Sequence, residues 1–254
     1  MEKNTLLEVC VDSVESAVAA WRGGADRLEL CANLVIGGTT PGLSLFRQVQ
    51  KHCGLPIYVL IRPRYGDFLY TEEETQMMEE DIQSLTALGA DGIVVGSLCA
   101  DGMLDREKMK RFRQAAGDVP ITLHRAFDMC REPERVMEEA IALGISTILT
   151  SGQAKNCREG AERIKQMICQ AGDRISVLVG GGVNGENIPQ LMQETKATWF
   201  HMSGKVSLKS GMLYRKAEVH MGIPGMDEYQ ILRTSEELVR QAKAALGRRS
   251  GLGN

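Results

Sequence analysis

Apolar runs rich in Val, Ile and Leu recur along the chain at intervals of about 20 to 35 residues. They read LLEVCV (6–11), RLELCA (27–32), PIYVLIRP (56–63), DGIVVGSL (91–98), PITLHRAF (120–127), TILTSG (147–152), ISVLVGGG (175–182) and WFHMSG (199–204). Each is short enough for a strand. The segments between them have helical apolar spacing and helix punctuation. Thr71 with Glu74 forms a capping box ahead of a helix through Leu88, Pro133 suits a first helical turn, and RGGAD (22–26), ALGAD (87–91) and ALGIS (142–146) are stops. Helix, glycine, strand is the rhythm of βα units, which build parallel sheets with the helices outside.

Eight such units in 254 residues match the size and count of a (β/α)8, or TIM-like, barrel. An open doubly wound sheet is the competing architecture, but the first strand leads into VDSVES and not into a GxGxxG turn. No change of composition and no Pro/Ser-rich linker divides the chain, so one α/β domain is expected over residues 1–246. Its last helix lies at about 234–246, and GRRSGLGN (247–254) is expected to be a disordered tail.

Strand parity directs the search for chemistry, because barrel sites lie at the C-terminal strand ends and residues two apart share a face. Glu8 and Cys10 face one way, as do Glu29 and Cys31, Arg62 and Arg64, His124 and Asp128, and His201 and Ser203. A carboxylate inside an apolar strand needs a partner. The expectation is that Glu8 and Glu29 pair with Arg62 in the mouth. That cluster reads either as a structural ion network or as a ligand or metal site. His124 and His201, two of only four histidines, converge on the same end and add acid/base or divalent-metal chemistry to the second reading. Gly180, Gly181 and Gly182 close strand 7, and Ser203, Gly204 and Lys205 close strand 8. These positions are either tight turns or an anion seat. Cys10 and Cys31 are either small core residues or the two thiolates of a Cu(I) site.

Composition narrows the setting. The chain is 43% hydrophobic, with a net charge of −3 and its basic residues dispersed, which argues against nucleic acid or an anionic membrane as partner. Seven scattered cysteines, no leader-like N-terminus and no apolar run of membrane length suit reduced thiols in the cytoplasm.

The segments LEVCVDS, DRLELCANLVIGGTTPG, IRPRYGDFLYTEEE, LHRAFDMCREP, ILTSG and GGGVNGENI resemble the CutC family of copper homeostasis proteins, collinearly from about residue 5 to 230. The resemblance implies a cytosolic TIM-like barrel, a homo-oligomer such as a dimer, a role in copper handling and Cu(I) binding. It also implies a polar mouth of Glu8, Glu29, Asn33, Arg62, Arg64, Asp67, His124, Arg125, Asp128, Ser151 and His201. Gly204 stands where a small residue such as alanine is expected. The family label names no reaction. Two readings therefore stand. In one, Cys10 and Cys31 ligate copper. In the other, an isomerase, lyase or hydrolase works on a small polar or phosphorylated metabolite, with Glu8, Glu29, His124, Asp128 and His201 as acid/base or divalent-metal groups. Asn33, Arg62, Arg64, Asp67, Arg125, Ser151, Gly181, Gly182 and Ser203 would then bind the ligand.

Overall fold

In the computed structural model, which describes residues 5–247 apart from 217, 220 and 224, eight parallel strands close into a barrel in chain order. They are β1 (Leu6–Val11), β2 (Arg27–Leu30), β3 (Ile57–Leu60), β4 (Gly92–Val95), β5 (Ile121–Leu123), β6 (Thr147–Thr150), β7 (Ser176–Val179) and β8 (Trp199–Met202). The crossovers carry α1 (Val14–Arg22), α2 (Leu43–His52), α3 (Glu72–Ala87), α4 (Arg106–Ala116), α5 (Pro133–Ala142), α6 (Ala161–Ala171) and α7 (Ile188–Thr195). The (β/α)8 expectation is met. Among the described residues, no helix is long and apolar enough to cross a membrane.

Parity divides each strand between two environments. One set of side chains, including Leu7, Val9, Leu28, Leu30, Val59, Ile93, Ile121, Ile148 and Phe200, packs outward against the helices in the main core. The alternate set fills the lumen, where Cys10, Cys31, Leu60 and Val94 form a small separate cluster bordered by Leu34 and Tyr58. A barrel of this size has room inside for side chains only. Charged residues of β1, β2 and β8 share that lumen.

Local signals hold where the chain punctuates itself. Thr71 Oγ1 accepts from Glu74 N and Glu74 Oε2 from Thr71 N, completing the capping box of α3. The ladders stop earlier than the apolar runs, at Leu60, Leu123, Thr150, Val179 and Met202. Beyond them Pro63, the 3-10 turn at Arg125–Met129, and Gly181 and Gly182 with left-handed φ of 86° and 87° turn the backbone out of the sheet.

After β8 the chain builds an antiparallel pair that the apolar pattern did not announce, β9 (Lys205–Lys209) with β10 (Gln230–Thr234). Its base is fixed by Thr234, whose Oγ1 donates to Ser203 O and whose N donates to Ser16 Oγ. Helix α8 (Glu236–Gly247) then packs beside α1 and α7. Lys243 Nζ reaches Asp26 at 2.6 Å, and Asp26 in turn accepts from Leu7 N at 2.7 Å, tying the C-terminal helix to β1. The tail expected at 247–254 lies, beyond Gly247, outside the described residues.

Candidate functional site

The register sets Glu8 beside Arg27 on one side and His201 on the other, and Cys10 beside Glu29. Glu8 is wholly buried. Its Oε2 accepts from Arg27 Nε and its Oε1 lies 2.7 Å from His201 Nδ1. Glu29 Oε2 lies 3.4 Å from the same nitrogen, and Cys31 Sγ donates to Glu29 Oε1 at 3.4 Å. A chain of charge therefore runs up the lumen from Arg27 through Glu8 and His201 to Glu29. Arg27 is itself held between aromatic faces, 4.1 Å from the Tyr58 ring centroid and 5.3 Å from that of Trp199.

The expected partner was Arg62, and the structure replaces it with Arg27. The same parity that placed Glu29 and Cys31 in the lumen also places Arg27 there. That signal was present in the sequence but was hidden by the position of Arg27 at the first residue of its strand.

Burial acts on each member of the chain, and neighbours decide the outcome. Burial would raise the Glu8 carboxyl, but Arg27 and His201 outweigh it and hold it below the ordinary 4.5. Glu29 is pushed upward by burial and by Glu8, against the pull of His201. Burial opposes charge on His201, yet Cys10, Glu29 and Glu8 raise it well above 6.5, so the imidazole is cationic at neutral pH. Cys31 is driven well above 9.0 by burial and then by Glu29 and Cys10, which keeps it a thiol.

Above this chain opens a pocket of about 390 Å³ at the C-terminal mouth. Cys10, Glu29 and His201 line it, with Arg62, Phe68 and His124 among the other walls. Arg125, Gly181, Gly182, Ser203 and Lys205 line it as well. His124 is buried, and its Nδ1 accepts from Ala126 N at 3.1 Å, which puts the proton on Nε2. Burial and then Arg62 lower its pKa to about 3. One pocket thus holds a neutral imidazole at His124 and a cationic one at His201.

Several predicted residues stand elsewhere. Arg64 was expected to share a face with Arg62, but the chain has left the sheet by then. Arg64 Nε bonds Glu74 at 2.6 Å and its Nη2 bonds Asp67 at 3.1 Å, so both Arg64 and Asp67 brace the loop before α3 outside the pocket lining. Asp128 was expected to pair in parity with His124. Instead its oxygens accept from Thr150 Oγ1, Ser151 N and Oγ, Gln153 N and Arg125 Nε, which makes it a clamp on the loop after β6. Ser151 belongs to that clamp. Asn33 has left-handed φ of 53° and its Nδ2 donates to Thr39, shaping the β2–α2 loop. Glu8 and Cys31 lie beneath the pocket and do not line it. Lys205, which the sequence offers as part of a tight turn or an anion seat after strand 8, lines the pocket. Phe68 was not among the predicted site residues, and nothing in the sequence singles out a loop phenylalanine.

Glu8, Glu29 and His201 each offer a ligand atom within 4.8 Å of the others, and Cys10 adds a thiol against the imidazole. Imidazole and thiolate accept copper, while the carboxylates add hard oxygen donors. Both Glu8 oxygens are already occupied, and Glu29 Oε2 has no hydrogen-bond partner.

Comparison with known proteins supplies a family. A sequence profile described as the CutC family matches residues 5–206. A Mus musculus protein named copper homeostasis protein cutC homolog is 43% identical over 240 residues, covering 94% of this chain and 88% of its own. A Vibrio campbellii protein named only as a CutC family protein is 40% identical over 96% of this chain and 99% of its own. A crystal structure of a CutC protein from Streptococcus agalactiae superposes with a TM-score of 0.75 at 32% identity, over 78% of this chain and 98% of that one. With that profile and those relatives spanning most of its length, this chain belongs to the CutC family.

Proposed function

We propose that this protein serves in copper homeostasis, as its mammalian relatives are named, and that it meets the metal on the floor of the mouth pocket at Cys10 and His201, with Glu29 beside them. The observation that carries the reading is the gathering of imidazole and carboxylate ligand atoms within 4.8 Å, with the Cys10 thiol against the same imidazole. Cys10 opens on the pocket and Cys31 does not. A thiol raised well above 9.0 and donating to Glu29 is a poor copper ligand, so Cys31 orients Glu29 in this reading and Cys10 supplies the sulfur.

Anaerobic Cu(I) titration against a chromophoric competitor tests this. The expected result is tight binding by the unaltered chain, weakened in Cys10→Ser and His201→Gln and kept in Cys31→Ser. Equal affinity in the unaltered chain and Cys10→Ser would sink the assignment. The carboxylate-rich set also supports a divalent ion as competitor, with Glu29 and His201 as its ligands. Such competition would appear as lower Cu(I) occupancy in excess Zn(II).

All seven cysteines are free, which supports a reducing, cytoplasmic setting. The β9–β10 arm leaves Leu208, Met212, Leu213, Tyr214, Met221 and Ile223 exposed. An apolar surface of that kind supports a homo-oligomer, in the simplest case a dimer packed through the arm.

A further inference from the structure

Three polar atoms around the mouth pocket are buried without a hydrogen-bond partner: His124 Nε2, Arg62 Nε and Glu29 Oε2. Their residues are 5%, 9% and 6% exposed, and all three line the pocket. Each is well defined chemically. The hydrogen bond from Ala126 N to Nδ1 makes His124 Nε2 a donor. Arg62 spends its terminal nitrogens on three backbone carbonyls: Nη1 donates to Gly37 O and Gly38 O, and Nη2 to Gly66 O at 2.9 Å. Its Nε–H is left over, and among the described residues no carboxylate stands within ion-pair distance of this guanidinium. Phe68 covers the pair, with its ring 4.9 Å from the His124 ring and 5.2 Å from the Arg62 guanidinium carbon. An uncompensated buried cation next to an unpaired N–H donor is an incomplete arrangement that an oxyanion completes.

The other walls add a lysine, Lys205, and Arg125, which is already paired with Asp128, and the backbone of Gly181 and Gly182 lines the same pocket. A volume of about 390 Å³ lies at the small end of metabolite pockets, which span roughly 300–1,000 Å³. On the floor, Glu29 Oε2 is an acceptor for a hydroxyl or amino group.

We infer that Arg62 and His124 seat the oxyanion of a small organic metabolite while Glu29 Oε2 accepts from a hydroxyl or amino group on the same molecule. This site shares Glu29 with the metal reading but needs neither copper nor the Cys10 thiol, and Arg62 and His124 belong to it alone, so the His124 variants test it apart from the metal. Carboxylate and phosphate share the required chemistry, and malate and glycerol 3-phosphate separate them as probes, with glycerol as the neutral control.

The test uses the full chain after treatment with a chelator. Calorimetry gives the affinity of each probe, and long-range ¹H–¹⁵N spectra follow the imidazoles. The expected result is saturable binding of malate or glycerol 3-phosphate but not glycerol, with the His124 Nε2–H resonance moving as the site fills. Affinity should fall by about tenfold or more in His124→Phe and recover in part in His124→Gln, which keeps an N–H donor. Copper titration of His124→Phe should match the unaltered chain. Saturable binding of neither anion overturns the inference. It is also overturned by binding that His124→Phe retains in full, or by saturation with the His124 resonance unmoved, a readout that does not depend on the folding of any variant.

Discussion

Arg27 is 5% exposed, packed on Tyr58 and bonded to the fully buried Glu8, and the rest of the lumen inherits its charge. Removing one member of a buried ion pair leaves the other unpaired, at a cost of about 3–5 kcal/mol. Arg27→Met should therefore lower stability by that order in urea unfolding, and the double variant with Glu8→Gln should recover part of the loss. Full additivity of the two changes would argue against the pair. His124 makes a separate prediction with a defined sign. Its folded pKa is lowered from 6.5 to about 3 by burial and by Arg62, so between those values the unfolded chain takes up a proton that the native one does not. Stability attributable to this group is intact above pH 6.5 and declines as pH falls toward 3, by roughly 1.4 kcal/mol per pH unit across that window. His124→Phe should flatten that limb of the stability curve. His201 acts on the other side: its pKa is raised, so its contribution is present at low pH and lost as pH climbs through the folded value. Parity read Glu8, Glu29, Cys10 and His201 correctly into the lumen, because alternation survives for as long as the strand does. It failed for Arg64 and Asp128, which lie past the last ladder bond, where nothing in the apolar pattern reports the turn of the backbone.

At the level of elements, the lumen depends on a missing side chain. A Cβ on Gly92 of β4 would come within 2.2 Å of the Tyr58 ring, so Gly92→Ala must push the tyrosine off Arg27. Overpacking of this kind costs about 1–3 kcal/mol, and thermal unfolding should show the loss while the far-ultraviolet circular dichroism keeps the barrel signature. Strand starts, the α3 cap and Pro133 were legible because single residues dictate them. The pair β9 and β10 was not legible: KVSLK and QILRT are five-residue segments, mostly exposed, whose paired residues lie more than twenty positions apart in the chain, from Lys209 with Gln230 to Lys205 with Thr234. Their base is anchored where Thr234 meets Ser203 and Ser16, and no local pattern encodes that meeting.

For the whole molecule, the barrel and the family were readable from eight spaced apolar runs and a set of long collinear motifs, whereas the arm shows what the chain presents to its surroundings. Leu213 is 98% exposed there, and a dimer packed through the arm should dissociate in Leu208→Lys with Leu213→Lys, measured by sedimentation equilibrium. An unchanged mass would place the contact elsewhere. Copper affinity should rise with pH, because the metal must displace the proton that Cys10, Glu29 and Glu8 hold on His201. Anomalous diffraction at the copper edge from crystals soaked anaerobically in Cu(I) would locate the metal proposed for the mouth. One strong peak on the pocket floor, in bonding distance of Cys10 and His201, is expected. A peak bonded to Cys31 without His201, or no peak in the mouth at all, would contradict that placement.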